Sequence, residues 1–108
     1  MTHHKHYTDY VGSRADKHFK STLFETGHML VGMNCLDPGQ DQHIHAHPGS
    51  DKIYVVFEGH GEFTIGDDTF TASEGTIIHA PADVPHGVRN PGDTRLAMMI
   101  VIAPPPNH

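Results

Sequence analysis

The sequence has few basic residues, a single cysteine and no long apolar run. Lys and Arg number only 7 in 108 residues, and the formal net charge is −6. A nucleic-acid partner is therefore not expected, because phosphate binding needs a basic face. Cys35 alone can form neither an intramolecular disulfide nor a cysteine-rich zinc site. The longest apolar run, residues 96–103, is far too short to span a membrane, so no membrane partner is expected.

Tryptophan is also absent, and 11 glycines and 8 prolines interrupt the chain. No window of about 11 residues has helical periodicity, whereas short β-forming segments alternate with turn residues. Strands are expected from residue 19 onward and over the ranges 29–36, 43–47, 53–57, 62–65, 69–72, 76–79 and 95–102. This pattern predicts an all-β sandwich or barrel.

The first 18 residues are polar and lack the apolar core of a signal peptide. We expect a cytoplasmic protein with a polar N-terminal arm over residues 1–18 and a single domain over residues 19–108. The arm contains His3, His4, His6 and His18. The alternatives to a plain surface arm are an artificial tag and a tail that buffers metal ions.

Histidine is the residue present in excess, with 12 copies. Imidazole is the commonest metal ligand in proteins, so the excess points to a metal site. His45 and His47 are two residues apart, and a strand over 43–47 would place both of them, and also His43, on one face. A third imidazole, from His86, must come from elsewhere in the chain. Three histidines leave coordination positions open on a bound ion, which is the arrangement of a catalytic metal site.

The spacing of these histidines resembles the two sequence motifs of the cupin family. The first motif runs Gly, five residues, His-x-His, four residues, Glu, six residues, Gly, and is matched by Gly39, His45, His47, Lys52 and Gly59. The second runs Gly, five residues, Pro-x-Gly, two residues, His, three residues, Asn, and is matched by Gly75, Pro81, Asp83, His86 and Asn90. The resemblance covers about residues 28–104. It implies a double-stranded β-helix, a jelly-roll-like barrel of the cupin type, and a homodimer.

The resemblance also implies that His45, His47 and His86 hold a divalent Fe, Mn, Ni, Zn or Cu ion. Two positions depart from the motifs. Asp83 replaces a glycine in a turn that needs positive φ, which Asp adopts at modest cost. Lys52 replaces the Glu that is normally a metal ligand in cupins, and an ammonium group cannot ligate a metal.

Three interpretations of Lys52 are open. The three histidines bind metal while Lys52 points aside or loses its proton, since burial and a nearby cation both lower the pKa of a lysine. Alternatively, Asp51 becomes the fourth ligand, which requires a β-bulge because it should face the other way. Finally, the site binds no metal, and Lys52 supplies the positive charge. The intact set of three histidines favours the first interpretation.

Lys52, His43 and Tyr54 are the candidate catalytic residues. His43 is either a rim residue or one that contacts substrate, and Tyr54 either orients a substrate or fills the barrel. The leading hypothesis is a metal-dependent enzyme acting on a small organic molecule, of the dioxygenase, decarboxylase, isomerase or lyase type. The alternative is a non-catalytic cupin that binds a small molecule in a cationic Lys/His pocket without metal. A fold alone does not choose among these functions.

Overall fold

Nine strands in two antiparallel sheets make up most of residues 3–106, the part of the chain that the computed structural model describes. They are β1 Phe19–Glu25, β2 Leu30–Leu36, β3 Asp41–His45, β4 Asp51–Glu58, β5 His60–Ile65, β6 Asp68–Ser73, β7 Ile77–Ala80, β8 His86–Arg89 and β9 Leu96–Ala103. One sheet has the order β1-β2-β9-β4-β7, and the other has the order β3-β8-β5-β6. The predicted all-β class and double-stranded β-helix are confirmed.

The main hydrophobic core lies between the two sheets. The five-stranded sheet contributes Tyr54, Val56 and Met98, and the four-stranded sheet contributes Phe63 and Val88. Side chains of β4 alternate between this buried face and a half-buried outer face, as a strand period of two requires. The core therefore fixes which residues of β4 point into the barrel.

The segment before β1 packs against the outer face of the five-stranded sheet. It contains a 3-10 helix, η1 Tyr7–Tyr10, and the centroid of the Tyr7 ring lies 4.6 Å from that of Phe57. The ammonium group of Lys5 donates a 2.6 Å hydrogen bond to the carbonyl oxygen of Leu23 in β1. A polar arm was expected over residues 1–18. Tyr7, Tyr10 and Val11 of this segment instead pack against a second hydrophobic cluster that includes Leu23 and Met33.

Three elements differ from the sequence-based expectation. The short strand β8 and the helix η1 were not predicted, because neither has the length to show a periodic pattern. The strand expected over 43–47 ends at His45, and its pairing with β8 is irregular between Gln42 and His45. The placement of His45 and His47 as a pair on one strand is therefore wrong, since His47 lies beyond the strand. No helix in residues 3–106 is long and apolar enough to cross a membrane.

Two turns depend on residue type. Gly59 has φ 75, and a side chain at this position would clash with the carbonyl oxygen of Arg95. Asp83 has φ 68, which confirms that it adopts the positive φ predicted for the second-motif turn. Its carboxylate accepts a hydrogen bond from the Gly49 N–H at 3.2 Å, and its own N–H donates to the carbonyl oxygen of His47 at 3.2 Å. The turn before β8 is thereby tied to the loop that carries His47.

Candidate metal centre

Three histidines from two segments of the chain converge at one end of the barrel. His45 is the last residue of β3, and it pairs across the sheet with His86, the first residue of β8. His47 reaches the same point from the loop after β3. The candidate ligand atoms of the three side chains lie within 4.8 Å of one another, and the Nε2 atoms of His45 and His47 are 3.2 Å apart. Among residues 3–106, no carboxylate joins this group.

Backbone carbonyl groups orient two of the three imidazole rings. Nδ1 of His45 lies 2.7 Å from the carbonyl oxygen of His43, and Nδ1 of His86 lies 3.0 Å from that of Val84. Because a carbonyl oxygen only accepts, each Nδ1 carries the proton, and each Nε2 carries the lone pair. Nε2 of His86 is buried without a hydrogen-bond partner among the described residues. This arrangement fits a metal ion, since ligating histidines usually donate their other N–H to such an acceptor.

Burial and neighbouring cations favour the neutral form of these imidazoles. Burial lowers the pKa of His47 to about 4, and the proximity of His45 and Lys52 adds to the effect. Burial also lowers the pKa of His86. A neutral imidazole is the form that binds a metal, so these two side chains need no deprotonation near neutral pH.

Lys52 is buried on the inner face of β4, between Ala80 of β7 and Ile102 of β9. The residue is 3% exposed, and its ammonium group forms no hydrogen bond or ion pair within residues 3–106. Nζ lies 4.6 Å from the centroid of the Tyr54 ring. Burial lowers the pKa of Lys52 to about 8, and Lys20 contributes further. The residue at the usual Glu position is thus a largely buried lysine whose ammonium group lies over the Tyr54 ring beside the cavity, without a carboxylate partner among the described residues.

Asp51 does not replace the missing carboxylate. It lies on the opposite, exposed face of β4, where its carboxylate accepts hydrogen bonds from Nε2 of His79 at 3.1 Å and from the Ala82 N–H at 3.0 Å. The β-bulge that would turn Asp51 inward is absent, because the pairing of β4 with β9 is regular from Asp51 to Val56. The interpretation in which Asp51 is the fourth ligand is therefore wrong.

A cavity of about 810 Å³ opens beside the three histidines. His43, His45, His47 and Lys52, four of the six sequence-predicted site residues, line it. His86 completes the histidine group from the barrel side. Tyr54 does not line the cavity: it is fully buried in the main core, its hydroxyl has no hydrogen-bond partner among the described residues, and burial raises its pKa.

Several cavity residues were missed by sequence reasoning. Lys20 and His18 reach the cavity from the beginning of β1, whereas Asn34 and Gln42 lie on β2 and β3. Asn34 and Gln42 are buried polar residues. No local motif marks these four residues, because they meet the histidines only through the long-range pairing of the strands. Strand alternation over residues 19–25 places Lys20 on one face but not beside the three histidines.

Comparison with known proteins agrees with this geometry. The cupin domain family matches residues 32–102. The solved structure of a protein from Thermus thermophilus is 33% identical, with 97% of this chain and 100% of that chain covered and a TM-score of 0.94. An RmlC-like cupin from Desulfovibrio desulfuricans is 29% identical, with 97% of this chain and 98% of that chain covered and a TM-score of 0.81.

One curated relative is an uncharacterized protein from Methanocaldococcus jannaschii. It is 32% identical over 65 residues, which are 60% of this chain and 52% of that protein. The chain thus aligns with about half the length of this relative. The match to the family extends from β2 to β9 and includes both histidine-bearing segments. The chain therefore belongs to the cupin domain family.

Proposed function

We propose that the chain binds a divalent transition metal ion through Nε2 of His45, His47 and His86, and acts as an enzyme on a small organic molecule in the adjoining cavity. The observation that carries this proposal is the convergence of these imidazoles with two Nδ1 atoms already bound to backbone carbonyl groups. Such outer hydrogen bonds orient a ligand before the metal arrives. The identity of the ion is left open among Fe, Mn, Ni, Zn and Cu, because imidazole ligands alone do not select one of them.

The chemistry of the site follows from its open side. A divalent ion on three protein ligands polarises a substrate oxygen or activates water. Lys52 places a positive charge beside the cavity and would hold an anionic group of the substrate. His43 is exposed at the cavity wall, where its imidazole can contact a bound substrate. These roles are compatible with dioxygenase, decarboxylase, isomerase or lyase chemistry.

The metal site is tested by titrating chelator-treated protein with Co²⁺ and recording the visible absorption of the bound ion. We expect one ion per chain, and at least about 100-fold weaker binding for His45→Ala and His86→Ala, because even outer-shell changes cost up to about that factor. His28→Ala, an exposed histidine outside the centre, is the matched control and should bind as the wild type does. If Co²⁺ binding is lost only when His3, His4 and His6 are replaced together, the N-terminal histidines form the metal site and the proposal is wrong.

A non-catalytic, metal-free binding protein is the second candidate function. The unpaired, buried ammonium group of Lys52 favours it, because a dication held close by would repel that charge. The Co²⁺ titration separates the two candidates, since this alternative expects no bound ion in any variant. The homodimer and the cytoplasmic location stay predictions, and light scattering of the purified protein tests the homodimer directly.

A further inference from the structure

The cavity beside the histidines is cationic in a chain that is negative overall. The chain has 13 Asp and Glu residues against 7 Lys and Arg residues. All 13 carboxylate side chains lie within residues 3–106, and none of them lines the cavity. Lys20 and Lys52 do line it. A cavity walled by one sign of charge concentrates ligands of the opposite sign, so its occupant should be an anion.

Lys52 needs a partner that the protein does not supply. The residue is almost fully buried, its ammonium group lies over the Tyr54 ring beside the cavity, and no carboxylate within residues 3–106 pairs with it. A buried charge without a partner is costly, and removing that cost requires an opposite charge or loss of the proton. An anionic ligand in the cavity would pair with the ammonium group and offset its desolvation.

The cavity walls favour a carboxylate over a phosphate. In the described part of the chain, neither an arginine nor the N-terminus of an α-helix lines the cavity, although these are the groups that suit phosphate best. Leu30, Ile100 and Ile102 form an aliphatic part of the wall. Asn34 and Gln42 add amide groups that can hydrogen-bond to a carboxylate. A ligand with an anionic end and a hydrocarbon body matches all of these features.

We propose that the cavity binds a small aliphatic carboxylate whose anionic end pairs with Lys52 and whose hydrocarbon part lies against Leu30, Ile100 and Ile102. That this acid is a substrate rests on the proposed enzymatic function. Binding of the acid itself depends on Lys52 and not on the metal. Lys20, at the exposed end of the cavity, would steer the anion inward.

The test is calorimetric titration of the full chain with butanoate and hexanoate, and with butanamide and hexanamide as uncharged ligands of the same shape. Each is measured on chelator-treated protein and on protein given one equivalent of Co²⁺. We expect hexanoate to bind at one site at least about tenfold more tightly than hexanamide, and Lys52→Met to remove this preference. Hexanoate should bind more tightly than butanoate, because it buries more apolar surface. Lys17→Met, an exposed lysine outside the cavity, should change the affinity less than about twofold.

Equal affinity for acid and amide, or unchanged hexanoate binding by Lys52→Met, would overturn the inference. So would tighter binding of inorganic phosphate than of hexanoate, or no binding of any acid to either form of the protein. Co²⁺ absorption of the same samples separates this failure from failure of the metal site. Acid binding without bound Co²⁺ leaves the inference standing and removes the metal-dependent function. Bound Co²⁺ without acid binding overturns the inference and leaves the metal site standing.

Discussion

Lys52 and Tyr54 lie two residues apart on the same inner face of β4, yet they belong to different regions of the molecule. Both residues are buried, but only the Tyr54 hydroxyl is a fully buried polar group without a hydrogen-bond partner among the described residues. The Lys52 ammonium group has no carboxylate partner there and lies over the Tyr54 ring. Lys52 lines the cavity beside the histidines, whereas Tyr54 packs in the core against Phe63. A ligand can reach and satisfy the first group but not the second. An unsatisfied polar group therefore indicates binding only where a cavity gives access to it.

Replacing Lys52 is expected to have the largest effect on stability. Burial lowers its pKa from 10.5 to about 8, which corresponds to roughly 3 kcal/mol of destabilisation at neutral pH. The fold disfavours the ammonium form, so this penalty is complete below the folded pKa and is relieved as the pH rises from about 8 to 10.5. Lys52→Met should therefore be more stable than the wild type in urea near pH 7, and the difference should shrink near pH 10.

Lys17→Met provides the comparison for this prediction, since Lys17 is exposed and should change the free energy of unfolding by less than about 0.5 kcal/mol. A Lys52→Met protein that is less stable than the wild type near pH 7 would mean that the ammonium group already has a partner in the protein.

Tyr54→Phe is expected to have a smaller effect. It keeps the ring that packs against Phe63 and removes only a buried hydroxyl group without a partner. A buried polar group without a partner lowers the free energy of unfolding by about 1 kcal/mol or more. The variant should therefore be as stable as the wild type or more stable, by up to about 1 kcal/mol. Thermal unfolding followed by calorimetry measures this difference. Weaker binding of hexanoate by Tyr54→Phe would instead make the hydroxyl group part of the ligand site.

Asp51→Asn is expected to have the smallest effect of the three. The carboxylate lies on the exposed face, where solvent competes with its hydrogen bond to His79, so this contact contributes little to stability. An amide oxygen can still accept the hydrogen bond from the Ala82 N–H, so the loop before β8 should keep its position. We expect Co²⁺ and hexanoate to bind the variant as they bind the wild type. A loss of Co²⁺ affinity of about tenfold or more would make Asp51 a positioning residue for His86.

The sequence predicts the three histidines much better than it predicts how they are held. Motif spacing selects His45, His47 and His86, and the structure brings these three together. The sequence does not reveal that His47 lies in a loop, because the irregular pairing between β3 and β8 depends on a partner strand that is distant in sequence. The same limit applies to β8, whose four residues are too few to show alternation.

The cavity walls were predictable only in part, for a related reason. Lys52 is visible because it interrupts a motif, so its unusual chemistry could be recognised from one position. Lys20 and Asn34 interrupt nothing: each follows from the pairing of β1 with β2, where they are opposite one another in register. The packing of Tyr7 on Phe57 is equally non-local, since it joins the helix η1 before β1 to a residue of β4. Long-range register thus decides which polar residues become neighbours of the three histidines.

Anomalous diffraction from crystals grown with Co²⁺ and hexanoate tests the central claim most directly, because it locates the metal and the acid in one experiment. The three convergent imidazoles and the unpaired Lys52 predict a single strong peak bonded to Nε2 of His45, His47 and His86, with the carboxylate of hexanoate beside Nζ of Lys52. A cavity without an anomalous peak, while Co²⁺ is bound elsewhere on the chain or not at all, would contradict it.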